Sequence, residues 1–160
     1  MTPRRFKLKW TDDDPGNSFM LSFHSKWQTP ICNGEVSVVF RKTWPTKIDA
    51  RAIYAYFGAP TSAIAAKFPI EGLELLPIQD ALAFSAAGAI SRAELETYAT
   101  DFDAIYVCHI GSVEVANSPV NRKFLTDEYD FWPSSTYMPL SSYGEETLDR
   151  LAEFSARHKS

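Results

Sequence analysis

The stretch that most limits what this chain can fold into is Ala104–Ala116. Its residues alternate, with Ile105, Val107, His109, Val113 and Val115 on one side and Tyr106, Cys108, Ile110 and Glu114 on the other. A period of two is the signature of a β-strand, whose successive side chains point to opposite faces. The fold must therefore contain a sheet.

Other strands gather around it. Val36–Lys42 puts Val36, Val38 and Phe40 on one face and Ser37, Val39 and Arg41 on the other. Arg51–Phe57 pairs Tyr54 with Tyr56 on one face, against Ile53, Ala55 and Phe57. Phe19–His24 reads as a strand, and Ser62–Leu75 as an extended segment with Pro69 at an edge or bulge, since proline donates nothing to a ladder.

Helices are inserted between these strands. Ser25–Asn33 forms a short one that Asn33 and Gly34 terminate, with Pro30 awkward inside it. Pro77–Ala86 is helical, and Ser91 with Glu94 makes a capping box ahead of Leu95 and Tyr98. Asn117–Ser142, rich in proline, serine and aromatics, reads as a long irregular wrap, and Glu145–Arg157 as a closing amphipathic helix. The expected class is α+β.

At 160 residues, 45% apolar and 14% aromatic, the chain suits one domain with its own core. Residues 1–17 are expected to form a flexible N-terminal arm and 18–160 the folded domain. No run approaches the roughly 20 apolar residues of a membrane helix, and MTPRRFKLKW has no apolar stretch to serve as a signal peptide, so a cytoplasmic location is expected. Cys32 and Cys108 lack the paired spacing of a zinc site and read as reduced thiols.

A net charge of −4 argues against a protein that coats nucleic acid non-specifically. Its distribution is uneven. Residues 24–51 hold Lys26, Arg41, Lys42, Lys47 and Arg51 against two carboxylates, whereas residues 71–103 hold seven carboxylates against Arg92. Either these are ordinary solvated faces, or an anion is steered to the first segment.

The order and spacing of several short words carry a family resemblance. Leu21–Trp27 (LSFHSKW), Ile31–Glu35 (ICNGE) and Val39–Lys42 (VFRK) are followed by Ile53–Pro60 (IYAYFGAP), Ala63–Ile70, Ile90–Tyr98 and Ala104–Ile110. Over residues 19–116 the chain resembles the ASCH branch of the PUA-like domains. That resemblance implies a PUA-like β-barrel with short inserted helices and a C-terminal helix. It also implies a cleft beside the first helix and second strand, associated with RNA, nucleotides or modified bases.

The chain departs from the family's G-x-K-x-x-E-x-R pattern. Gly34 and Arg41 are kept, but the lysine and acidic positions hold Val36 and Val39, and His24 occupies an early basic cleft position. Related hydrolases of an acylated cytidine rely on that lysine and a nearby hydroxyl to activate a nucleophile and hold developing charge. An aliphatic side chain does neither.

Arg41 is the leading candidate residue, because a planar guanidinium clamps phosphate or a base edge, although a structural ion pair would use it equally. His24 either contacts phosphate and carries a proton, or caps the helix. Lys26 and Lys42 are phosphate contacts or solvated lysines, and Ser37 shares a face with Arg41. Tyr54, Tyr56 and Trp44 offer stacking surfaces or pack in the core. His109 reads as core, and Cys108 points away from it, which excludes a joint dyad. Phe131–Pro139 walls the cleft or covers one end of the barrel, while Thr126–Asp130 lacks the oxygen spacing of a metal site.

The expected function is non-catalytic binding of RNA, a single-stranded or modified base, or a nucleotide, without cofactor or metal. One alternative is a hydrolase acting on RNA or a modified nucleoside, a ribonuclease or amidohydrolase with His24 as acid or base. Another is a protein-interaction module presenting the acidic 71–103 segment.

Overall fold

A computed structural model describes residues 7–45, 49–134 and 137–156. Residues 1–6 of the expected arm and Lys47 of the basic segment lie outside these. Eight strands run β1 Ser18–Phe23, β2 Val38–Arg41, β3 Ala52–Phe57, β4 Ala63–Pro77, β5 Ala104–Ile110, β6 Glu114–Asn121, β7 Met138–Pro139 and β8 Phe154–Ala156. The helices are α1 Gln28–Cys32, α2 Ile78–Ala81, α3 Arg92–Tyr98, α4 Arg122–Tyr129 and α5 Ser142–Ala152, with 3-10 turns at Ser25–Trp27, Leu82–Phe84 and Ala86–Gly88. The α+β expectation holds.

The strands are ordered β2-β5-β4-β3-β1-β7, with β6 and β8 continuing from β4. This ladder is open, because β1 and β2 share no strand pairing among the described residues. The long β4 serves two neighbourhoods. Its first half pairs with β3 and β6 and its second with β5, and the register shifts between Ile70 and Gly72, next to Pro69.

Alternation along the strands sorts side chains into three cores. Phe19, Leu21 and Phe23 of β1 join Ile53, Ala55 and Phe57 of β3, Val39 of β2 and Cys108 and Ile110 of β5 in one cluster. The opposite face of β1 and β3, with Met20, Tyr54 and Tyr56, is covered by Leu125 of α4 and Leu148 and Ala152 of α5. Val38, Phe40, Ile105 and Val107 lie under Ala81, Leu82 and Leu95.

Ala104–Ala116 is two strands rather than one. At Gly111 the chain presses against β4: its N–H donates to the Pro69 carbonyl at 2.9 Å, and a Cβ there would sit 2.6 Å from the Pro69 ring. The turn moves Val113 onto the Cys108 face, opposite to the side that continuous alternation requires.

The wrap expected over 117–142 is also more regular. β6 runs on to Asn121, whose side chain caps α4 by accepting from the Phe124 N–H at 2.8 Å. The last helix starts earlier and stops sooner, with Ser141 as its cap, and Glu153 at φ 51° turns the chain into β8.

The described part of the arm, 7–17, is docked through Leu8, with most of its other residues exposed. Leu8 is buried, its carbonyl accepts from the Ser141 N–H at 2.8 Å, and the Trp10 N–H donates to Pro139 at 2.9 Å. Among the described residues no helix is long and apolar enough to cross a membrane.

Candidate functional site

The first helix ends as its sequence dictates. Gly34 takes φ 75°, its N–H donates to the Ile31 carbonyl at 3.0 Å, and the Glu35 N–H reaches back to Pro30 at 2.9 Å. This double bond is a Schellman motif, which glycine adopts without the steric cost other residues bear. It turns the chain so that Val36 and then β2 return alongside α1.

An open slot of about 100 Å³ lies between these elements and the 86–98 segment. Its floor is Ile31, Val36 and Val39, and its walls include Phe23, Trp27 and Tyr98. Gly88 lets the 3-10 turn lie against β2, since a Cβ there would stand 2.5 Å from the Phe40 ring. The slot is thus apolar where the family pattern would supply a lysine and an acid.

Three cations stand over three of its rings. The Arg41 guanidinium is 4.8 Å from the Phe23 centroid, the Lys26 ammonium 5.2 Å from that of Trp27 and the Lys42 ammonium 4.7 Å from that of Tyr98. Each pairing is favourable, because the ring face carries the negative part of its quadrupole. Lys26 is shared with Glu94 at 3.6 Å, whereas Arg41 and Lys42 have no carboxylate partner among the described residues. Glu94 shows that the acidic segment is not remote: α3, which belongs to it, forms one wall.

Arg41 also has a structural role. Its guanidinium donates to its neighbour's carbonyl at Phe40 (3.3 Å) and across the open ladder to the Ser22 carbonyl of β1 (3.1 Å). A guanidinium has five N–H donors, so donors remain for a ligand.

The other candidates separate. Arg41 lines the slot, and Lys26 and Lys42 stand over two of its rings from outside the lining. His24 is exposed and outside the lining; its Nδ1 accepts from the Lys26 N–H at 3.0 Å, capping the 3-10 turn. Ser37 is exposed, and its backbone N–H donates to Ala87 at 2.8 Å.

Tyr54 and Tyr56 do not offer stacking surfaces, because alternation turns both into the core beneath α5. The Tyr54 hydroxyl donates to Asp149 at 2.8 Å, and burial pushes its pKa far upward. Trp44 packs edge-on against Phe19 and Tyr137. His109 is half-exposed rather than core: its Nε2 lies 2.6 Å from Glu74, on the sheet face away from Cys108. The aromatic walls that sequence reasoning missed are Trp27 and Tyr98; the adjacency of Lys26 to Trp27 was the available signal for the first, and the sequence carries none for the second.

Among the described residues no group of three or more His, Cys, Asp or Glu side chains is arranged to hold a metal ion. No family model and no curated protein sequence matches the chain. Solved structures do. The crystal structure of ASCH from Zymomonas mobilis superimposes with a TM-score of 0.78 at 16% identity, covering 87% of this chain and 96% of that one. The chain has an ASCH-type fold. Two single-substitution variants of the same Zymomonas mobilis protein superimpose equally well, at 16% and 15% identity over 89% and 88% of this chain. In this ASCH-type fold the slot lies beside the first helix and second strand.

Proposed function

We propose that the cleft of this ASCH-type domain binds nucleic acid or a nucleotide, with a base entering the apolar slot and phosphate held outside it. The observation that carries this reading is the pair of cations without carboxylate partners among the described residues, Arg41 and Lys42, standing over rings that line one slot. At about 100 Å³ the slot is well below the several hundred Å³ that enclose a drug-sized ligand. It therefore admits part of a flat ring and leaves sugar and phosphate in solvent, beside the cations.

The reading is of binding rather than turnover. Among the described residues, the slot's lining supplies Arg41, the Trp27 indole and the Tyr98 hydroxyl as polar side-chain groups, and no carboxylate, imidazole or thiol. General acid–base chemistry needs a group of tunable pKa within hydrogen-bond reach.

Calorimetric titration with nucleoside monophosphates and short RNA, at several salt concentrations, tests the proposal. The logarithm of affinity should fall with that of salt by about 0.7 per neutralised phosphate, and Lys42→Gln should reduce the slope by about that amount. Tyr98→Ala should weaken base binding by about 1–3 kcal/mol if the ring stacks. Absence of binding at low salt, or binding indifferent to both substitutions, would overturn it.

A further inference from the structure

A second aromatic surface lies on the far side of β1. Trp132 is 55% exposed and Trp10 is 36% exposed, and both line a groove of about 370 Å³ together with Lys9, Ser134 and Tyr137. Leaving two indoles in water forgoes the stabilisation that burial of such large apolar groups gives. Neighbouring exposed tryptophans thus point to something that covers them.

Both residues are anchored. The Trp10 backbone N–H donates to the Pro139 carbonyl at 2.9 Å, and Lys9 bridges to Leu140 in antiparallel fashion. The Trp132 Nε1–H donates to Asp130 at 3.3 Å, and the preceding Phe131 is buried with its N–H on the Leu125 carbonyl at 3.1 Å. Such anchoring lowers the entropy lost when a partner settles on the rings.

One residue of β1 joins this groove to the first cleft. The Ser22 carbonyl accepts from Arg41, while its hydroxyl donates to the Ser134 carbonyl at the groove's edge. Among the described residues the groove's lining includes the cation Lys9 and no carboxylate, the Asp130 carboxylate that holds the Trp132 indole lying outside it.

We propose that the Trp10–Trp132 groove is a second base-stacking platform, so that the ligand is a single-stranded nucleic acid of several nucleotides running past Arg41, not a free nucleotide. This rests on the base-binding reading of the first cleft. Stacking platforms beside backbone-tracking cations are the usual means of holding single strands, since every base has a π-face. A flat indole open to solvent, with a cation beside it and a phosphate-binding guanidinium next along the path, supplies each part.

Fluorescence-anisotropy titration with labelled oligouridylates of one, two, four and eight nucleotides tests this. Wild type should bind the octamer more tightly than the dinucleotide. Trp132→Ala should weaken the octamer on the order of 5- to 150-fold, the range for one stacked base, and leave the mononucleotide unchanged. Trp132→Phe, which keeps a ring, should restore most of the octamer affinity. Equal affinity for dinucleotide and octamer, or an octamer indifferent to Trp132→Ala, overturns the second platform and leaves the first cleft standing. Trp132-dependent self-association in sedimentation, without that length dependence, overturns it in favour of a protein contact. Failure to bind any length overturns both readings.

Discussion

The Arg41 guanidinium on β2 donates to the Ser22 carbonyl on β1 at 3.1 Å, joining two strands that share no ladder among the described residues. One side chain thus bridges the gap in the sheet and faces the slot. Its removal should affect stability and ligand affinity together. Arg41→Ala should cost about 1.5–3 kcal/mol in urea denaturation, the worth of a hydrogen bond from a charged donor, and should also weaken binding. Arg41→Lys should recover little of either, because an ammonium cannot reproduce the planar fork.

His24 separates binding from hydrolysis. As the cap of the 3-10 turn, outside the slot's lining, it should be dispensable for affinity. His24→Ala should cost about 0.5–2 kcal/mol of stability, as loss of a cap does, and leave RNA affinity within about twofold. RNA or acylated-nucleoside turnover in the wild type, abolished by this substitution, would contradict the non-catalytic reading.

Gly144 marks where the N-terminal segment docks on α5. A Cβ there would stand 2.3 Å from the Leu8 carbonyl oxygen, and backbone cannot yield as a flexible side chain would. Gly144→Ala should destabilise the fold by about 1–3 kcal/mol, as overpacking does, and speed trypsin cleavage after Lys7 and Lys9. Unchanged melting and proteolysis would show that residues 7–10 are not bound as described.

Asp14 ties the same segment to α5 and gives the fold an acid dependence. Its carboxylate accepts from the Ser142 hydroxyl foremost, and from the Tyr143 N–H at 3.1 Å, which hold its pKa below the ordinary 3.8. A carboxyl with a depressed folded value contributes stability above its ordinary pKa and loses it as pH falls through the folded one. Denaturation followed from pH 6 downward should show a loss below about 3.8 that is smaller in Asp14→Asn. Parallel curves for the two proteins would refute it.

Cys108 should be inert. Burial in the core with Phe19 and Ile110 pushes its thiol up to about 12, only partly opposed by Arg41. Native protein at pH 8 should leave Cys108 unlabelled by a thiol reagent, with labelling after denaturation; mass spectrometry of the peptides reads this directly.

Strand faces were legible because burial follows the two-residue period. Val39 and Arg41 did share a face, as did Tyr54 and Tyr56, and Ser91 with Glu94 did start a helix. What the period does not reveal is which layer covers each face, so the tyrosines' face was assigned to a ligand when α5 covers it. Gly111 hid a turn inside an alternating run, because its close approach to Pro69 depends on a strand far back in the chain. Trp27 and Tyr98 escaped notice for the same reason: only the packing of α3 on β2 and β5 brings Tyr98 to the slot that Trp27 also lines. The basic segment holds Arg41, which lines the slot, and Lys26 and Lys42, which stand over two of its rings; local charge needs no tertiary information.

The most direct measurement is the amide and indole spectrum of nitrogen-15-labelled protein titrated with a short single-stranded RNA. The account predicts progressive shifts at the Trp27 indole and at the amides of Val36, Arg41, Lys42 and Tyr98, with the buried Tyr54 and Tyr56 unmoved. Shifts confined to the acidic surface around Glu71 and Glu74, or none at RNA concentrations above the protein's, would contradict it.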